Sequence, residues 1–119
     1  MVYAEASENW EEYAFKTLDF FGTHPSTDAQ ELHKAAVLFY EHVAYPDQLE
    51  TSLNWAKQAI ALENSYEHNA TLARLLSKLQ RNEEAIRAAN KAVYIARQER
   101  KSPQGMITLI RELRERAEG

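Results

Sequence analysis

Two stretches of this chain match each other at a spacing of 33 residues, and this internal repeat most limits what the chain can fold into. Residues 52–62 carry small residues and aliphatics in the same order as residues 85–95. Read as helices, both stretches place those residues on one face. Self-similarity at a fixed period is typical of one helical unit used twice, with neighbouring copies burying a shared core. The repeat therefore predicts a stacked helical protein.

The composition favours an all-α protein of one domain. The chain has 119 residues, of which 45% are hydrophobic, and only three glycines and three prolines. No stretch approaches the ~18 apolar residues of a membrane span, and residues 1–9 lack the features of a signal peptide. We expect a cytoplasmic chain as given, or a periplasmic one if it is a fragment of an exported parent protein. The absence of cysteine excludes disulfides and thiol chemistry.

The two halves of the chain differ in charge. Residues 1–65 contain eleven Asp or Glu and three Lys or Arg, a balance of −8, whereas residues 66–119 contain seven and eleven, a balance of +4. The total of −4 argues against a nucleic-acid partner, because such proteins usually carry a basic excess. The asymmetry fits helix faces of different sign, and it would also orient docking on a neighbouring domain.

Hydrophobic periodicity and turn signals predict six helices within residues 1–119. A flanking helix is predicted at about 8–21 and a capping helix at about 103–117. Two helix pairs lie between them, at about 29–64 and about 65–97. The residues predicted to cap the last five helices are Thr27, Asp47, Asn64, Asn82 and Ser102.

The pattern of large and small residues in these pairs resembles that of tetratricopeptide repeats. The second pair has Leu72-Ala73-x-x-Leu76 in its first helix and Ala85-x-x-x-Ala89-x-x-Ala92 in its second. The corresponding residues of the first pair are Leu32, Ala35, Ala36, Phe39, Tyr40, Ser52, Ala56 and Ala59. The resemblance implies antiparallel helix pairs stacked as a short α-α superhelix with flanking helices.

The small residues have a physical purpose that does not depend on the family. Two helices approach to about 8–10 Å only where the residues at their crossing are small. We therefore expect Ala36 to face Ser52 and Ala73 to face Ala85. The chain departs from the family at two turns: Gln80 stands where the family has glycine, and the connection 45–47 is about four residues longer than usual.

A narrower resemblance is to helical C-terminal regions appended to bacterial thioredoxin-like proteins. It rests on Asn54-Trp55-Ala56-Lys57 through Leu62, on Tyr66 and Leu72-Ala73, and on the segments Glu83-Glu84-Ala85 and Glu99-Arg100-Lys101. This resemblance implies an accessory domain whose redox module lies elsewhere, because this chain has no Cys-x-x-Cys.

The sequence contains no recognisable catalytic, metal or cofactor motif. His24, His33, His42 and His68 lack metal-ligand spacing, and no glycine-rich phosphate loop is present. The acidic residues cluster at predicted helix starts, where the helix dipole favours them. We therefore expect a protein that is not an enzyme and holds neither metal nor cofactor.

Binding of a protein or peptide is the expected function, with no nucleic-acid or membrane partner. The resemblance implies a concave face made by the first helices of the pairs. The residues predicted to contact a partner are His33, Val37, Tyr40, Glu67, Arg74, Ser77 and Lys78, beside Glu41 and Ala70. Tyr40 offers a large amphipathic surface, and Arg74 and Lys78 would bind a carboxylate. The alternatives are docking on an attached thioredoxin-like module and self-association through Phe15, Phe20 and the terminal helices, which would give a homo-oligomer.

Overall fold

A computed structural model describes residues 16, 17, 20, 28–43 and 45–118, and this part of the chain contains five α-helices and no strand. They are α1 (Ala29–His42), α2 (Pro46–Leu62), α3 (Tyr66–Lys78), α4 (Asn82–Gln98) and α5 (Gln104–Glu118). The all-α prediction is confirmed. Residues 16, 17 and 20 are helical, and the rest of the helix predicted at 8–21 lies outside the described residues, as do Thr27 and His24. None of the five helices is both long and apolar enough to span a membrane.

Each helix packs against the next one along the chain, and α1 also packs against α3. The most extensive contacts are between α3 and α4 and between α1 and α2. The short connections 43–45 and 79–81 join helices that pack against each other. Arg81 links the start of α4 to α2, since its guanidinium lies 2.9 Å from Glu50 of α2 and 2.9 Å from Glu84 of α4.

Helices α1, α3 and α5 bury the same positions at a spacing of 37 residues. Three sets of buried residues follow this spacing: Leu32, Asn69 and Met106; Ala36, Ala73 and Ile110; Phe39, Leu76 and Leu113. The helix predicted as a terminal cap thus presents the same face to the core as the first helices of both predicted pairs. Helix α5 therefore continues the pattern of α1 and α3.

The buried apolar residues form two clusters. The larger one joins α1 and α2 to residues of α3, α4 and α5, and Phe39 and Trp55 meet edge-on within it at 4.8 Å between ring centroids. The smaller cluster is rich in alanine and joins α3, α4 and α5: Ala70, Ala73, Ala89, Ala92, Met106 and Ile110. The predicted burial of Ala73 and Ala85 is confirmed. However, Ala73 belongs to the smaller cluster and Ala85 to the larger one.

Helix starts differ from the predicted caps by about one residue. Asp28 caps α1 by accepting hydrogen bonds from the backbone N–H groups of Gln30 and Glu31, and Ser65 caps α3 by accepting from His68. Asn64 instead accepts a side-chain hydrogen bond from Asn69. Neither α2 nor α4 has a side-chain cap, so the assignments of Asp47 and Asn82 were wrong. Proline at the first helical position of α2 replaces a cap, since it has no N–H to satisfy.

The first pair has four more residues between its predicted crossing residues, Ala36 and Ser52, than the second pair has between Ala73 and Ala85. These extra residues lengthen the helices of the first pair, not its turn. The connections 43–45 and 79–81 have the same length. From Ala36 to the end of α1 there is one residue more than from Ala73 to the end of α3. From the start of α2 to Ser52 there are three residues more than from the start of α4 to Ala85. The longer connection predicted at 45–47 was therefore wrong, because Pro46 starts a helix there.

The turn at Gln80 has the backbone that glycine favours, and Gln80 occupies it with φ of 65°. The N–H of Arg81 donates to the carbonyl of Leu76 at 2.9 Å, and that of Gln80 donates to the carbonyl of Ser77 at 3.0 Å. These bonds define a Schellman motif at the end of α3. A second one ends α4, with Arg100 at φ of 60° and the N–H of Lys101 donating to the carbonyl of Ala96.

We expect Gln80→Gly to raise the free energy of unfolding by about 0.5–1 kcal/mol, because glycine adopts a left-handed backbone without the steric cost that glutamine bears. Urea denaturation measures this change. Gln58→Gly is the matched control, because Gln58 is exposed within α2, where glycine should cost about 1 kcal/mol. Destabilisation of the Gln80→Gly variant would contradict the left-handed turn.

Candidate functional site

Five residues of the partner-binding face predicted from the sequence line one open groove at the carboxyl ends of α1, α3 and α5. We name it the C-terminal groove; it has a volume of about 520 Å³. Its lining residues are Tyr40, Glu41, Arg74, Ser77, Lys78, Gln80 and Arg116. Tyr40 and Arg74 are half-buried, whereas Lys78 and Arg116 are exposed. The groove combines an aromatic side chain with three cations and one carboxylate.

The three cations of the C-terminal groove differ in how they are held. Lys78 donates a hydrogen bond to the backbone carbonyl of Tyr40, and its Nζ lies 5.3 Å from the centroid of the Tyr40 ring, a cation–π contact. Burial lowers the pKa of Lys78. Arg116 lies 3.4 Å from both the carbonyl and the hydroxyl of Ser77. Arg74 makes no side-chain hydrogen bond or salt bridge with any described residue, so it is the cation most available to a ligand.

The predicted contacts His33 and Glu67 lie elsewhere, in a second pocket of about 450 Å³ at the amino ends of α1 and α3. Its lining residues, which define the N-terminal pocket, are Gln30, His33, Glu63, Ser65, Glu67, His68, Glu99 and Lys101. Lys101 forms salt bridges with two of its carboxylates, at 2.6 Å from Glu67 and 3.4 Å from Glu99. The salt bridge with Lys101 lowers the pKa of Glu67. The carboxylates of this pocket are therefore largely paired with other groups of the pocket itself.

Two hydrogen bonds in the N-terminal pocket repeat at a spacing of 36 residues. Gln30 at the start of α1 donates to Glu63 after α2, and the N–H of Tyr66 at the start of α3 donates to Glu99 after α4. The two bonds are 3.1 and 3.4 Å long. In each case a glutamate that follows a second helix binds the start of the first helix of its pair. The pocket thus also links the two helices within each pair.

His33 and His68 meet in the N-terminal pocket at 4.7 Å between ring centroids. The His68 side chain is almost fully buried, and its Nδ1 lies 2.7 Å from the carbonyl oxygen of Glu63. Burial, followed by the proximity of His68, lowers the pKa of His33, and the charge of Glu67 partly opposes this shift. Protonation of His33 is therefore less favourable in the folded state than in the unfolded chain.

We expect the protein to lose stability on acidification below pH ~6.5, the ordinary pKa of histidine, because the unfolded chain then takes up a proton at His33 that the folded protein resists. Above that pH His33 is neutral in both states and contributes no such loss. His33→Gln should reduce this pH dependence, measured by urea denaturation between pH 5 and 7.5. If the free energy of unfolding depended on pH equally in the wild type and in His33→Gln, His33 would not be the source of the acid sensitivity.

The structure thus brings together four of the seven predicted contacts: Tyr40, Arg74, Ser77 and Lys78. His33 and Glu67 line the other pocket, and the half-buried Val37 lines neither. Arg116 was missed, although reading the last helix as a repeat of α1 and α3 would have placed it beside their carboxyl ends. The contact between His33 and His68 was missed as well, since no sequence signal connects their rings.

Two further expectations concern residues outside these grooves. Within the described ranges, no group of three or more His, Asp or Glu side chains is placed to hold a metal ion. Phe20, predicted to contribute to self-association, has an exposed fraction of 48%, and Phe15 lies outside the described residues.

Comparison of the chain with protein-family models, with curated proteins and with solved structures gave no match. Membership of the tetratricopeptide family and the link to thioredoxin-like proteins therefore stay predictions from the sequence.

Proposed function

We propose that this chain is a non-catalytic protein-interaction module of the tetratricopeptide type, which binds a peptide in the C-terminal groove. One observation carries the proposal: four residues chosen from the sequence as partner contacts, and separated by up to 38 positions, line a single open groove. Helices α1, α3 and α5, which share the 37-residue pattern of buried positions, all contribute to it. A groove lined by successive first helices is the surface that the sequence resemblance implies for binding.

The chemistry of the groove favours a peptide with a carboxylate. Arg74 presents a planar guanidinium with no described partner, and such a group binds carboxylates through two parallel hydrogen bonds. Tyr40 supplies an aromatic surface within the same groove, and Lys78 holds it by bonding to its backbone. A peptide with an acidic side chain or a free carboxyl terminus, next to an apolar residue, would use both groups.

A screen of synthetic dodecapeptides, each made with a free carboxyl terminus and as its amide, tests this proposal. Fluorescence anisotropy would follow binding to the wild type and to the Tyr40→Ala and Arg74→Glu variants. We expect the selected peptides to depend on a carboxylate, and Arg74→Glu to weaken binding at least about tenfold, equivalent to ~1.4 kcal/mol. Arg87→Glu is the matched control, at an exposed position of α4 that lines neither this groove nor the one between α4 and α5.

Unchanged affinity in both groove variants, with intact helical structure by circular dichroism, would overturn the assignment of the groove. Docking on a thioredoxin-like module and self-association are the two other functions predicted from the sequence. Sedimentation of the purified chain at several salt concentrations tests self-association. Contacts between oppositely charged halves should weaken as salt shortens the screening length.

A further inference from the structure

A second groove, lined by residues of α4 and α5, is independent of the C-terminal groove. We name it the α4–α5 groove; it has a volume of about 660 Å³. Its apolar residues are Val93, Ile107 and Ile110, and Tyr94 stands beside them with an exposed fraction of 63%. The other lining residues are polar or charged: Asn90, Arg97, Arg111, Arg114 and Glu115. The groove thus has an apolar floor with a predominantly basic rim.

The repeated pattern of the fold shows what occupies the equivalent position earlier in the chain. Helix α3 packs against α2, and α4 packs against α3, where Ala73 lies in one cluster with Ala89 and Ala92 of α4. Helix α5 repeats the buried positions of α3 and packs against α4 as α3 does against α2. In the described part of the chain no helix after α5 packs against it in the way that α4 packs against α3. Ile110, the equivalent of Ala73 at the 37-residue spacing, lines the α4–α5 groove, so the groove lies where one more helix would pack.

The charges of the rim indicate the chemistry of that helix. None of the guanidinium groups of Arg97, Arg111 and Arg114 makes a hydrogen bond or salt bridge with any residue that the structure describes. Arg111 and Glu115 are four residues apart on α5, yet they form no salt bridge. Three cations that have no partner among the described residues, beside a single carboxylate, complement an acidic partner. The apolar floor favours a protein helix over a nucleic acid, whose phosphates would meet only the rim.

We propose that the α4–α5 groove binds an acidic amphipathic helix of a partner protein. Apolar residues at positions i, i+3, i+4 and i+7 of that helix would pack on Val93, Ile107 and Ile110. Glutamates or aspartates flanking this stripe would pair with the three arginines. The site is separate from the peptide site proposed above, and the two share no lining residue.

The test uses a synthetic 18-residue peptide with a leucine stripe flanked by glutamates, labelled for fluorescence anisotropy. Two control peptides have the same length: one carries lysine at every glutamate position, and one has the residues scrambled so that no stripe remains. We expect saturable binding of the acidic peptide alone. The Arg111→Glu/Arg114→Glu variant should weaken it at least about tenfold, and Tyr94→Ala to a smaller extent. Arg87→Glu, an exposed charge reversal on α4 outside the groove, should leave it unchanged.

Three results would overturn this proposal: equal binding of the scrambled peptide, unchanged binding by the folded double variant, or tighter binding of a polyuridine of matched charge. Arg74→Glu separates the two grooves, because it should leave binding of the acidic helix intact. Loss of helix binding in Arg74→Glu but not in the double variant would assign the helix to the C-terminal groove instead.

Discussion

Phe39→Ala is expected to lower the free energy of unfolding by about 3–5 kcal/mol. Phe39 is fully buried in α1, and its ring meets that of Trp55 of α2 edge-on. The larger cluster, to which both belong, also includes Leu75 and Leu76 of α3, so truncation would open a cavity at the contact of three helices. Domains of this size are stable by about 5–15 kcal/mol, so this single change removes a large share of the total.

Urea denaturation followed by far-UV circular dichroism measures the effect of Phe39→Ala. Phe39→Leu should cost less, because it keeps part of the apolar contact and loses only the aromatic ring. Leu62→Ala is the control at an exposed position of α2, where we expect a change within about 0.5 kcal/mol. A Phe39→Ala variant as stable as this control would contradict the burial of Phe39 between helices.

The helical fold could be predicted from sequence because its signal is local and repeated. Apolar residues recur at helical spacing in all five helices, and no stretch alternates as a strand would. The small residues at the predicted crossings, Ala36, Ser52, Ala73 and Ala85, are all fully buried. Small residues that recur at such spacing indicate a close approach of another helix, because only small side chains fit at a close crossing. Fold class and core positions followed from this regularity.

Turns and caps were harder to predict because several residues compete for each role within a few positions. Thr27 and Asp28 both suit a helix start, as do Asn64 and Ser65, and the hydrogen-bond geometry decides between them. Pro46 follows a predicted helix end, which suggested a long connection, but it also suits the first turn of α2. Gln80 takes a left-handed backbone that its own chemistry does not favour, because the packing of α3 on α4 requires the turn.

Only part of the candidate site could be predicted. The sequence shows which residues share a helix face, but it does not show where along their length neighbouring helices come into contact. Projection placed His33, Tyr40, Glu67 and Arg74 on faces that meet. The structure separates them along the helix axes, with His33 and Glu67 at the amino ends and Tyr40 and Arg74 near the carboxyl ends. Arg116 joins from α5, 39 residues beyond Ser77. Such contacts depend on how three helices stack, which is a long-range property.

The structure shows where the basic residues of the second half of the chain lie. Residues 66–119 hold eleven Lys or Arg. Six of them line the two grooves: Arg74, Lys78 and Arg116 in the C-terminal groove, and Arg97, Arg111 and Arg114 in the α4–α5 groove. Each groove contains one carboxylate, Glu41 or Glu115. The basic half thus concentrates its charge where the surface is concave, which favours acidic partners at both sites.

Ala73→Leu and Ala85→Leu are each expected to lower the free energy of unfolding by about 1–3 kcal/mol through overpacking. Both alanines are fully buried, Ala73 in the smaller cluster and Ala85 in the larger one, and a larger side chain would overpack the neighbours of each. Ala61→Leu is the matched control, because Ala61 is exposed on α2 and accepts the same added atoms. We expect it to change the free energy of unfolding by no more than about 0.5 kcal/mol.

The double variant Ala73→Leu/Ala85→Leu distinguishes two arrangements of these alanines. If they faced each other across one crossing, as the sequence suggested, their costs would be coupled by about 0.5–3 kcal/mol, because one added side chain would already have separated the helices. The structure places Ala73 with Ala89 and Ala92, and Ala85 with the larger cluster around Phe39. The two costs should therefore add. Urea denaturation of both single variants and the double variant gives the coupling energy, and a clearly non-additive result would favour direct contact between the two alanines over the two-cluster core.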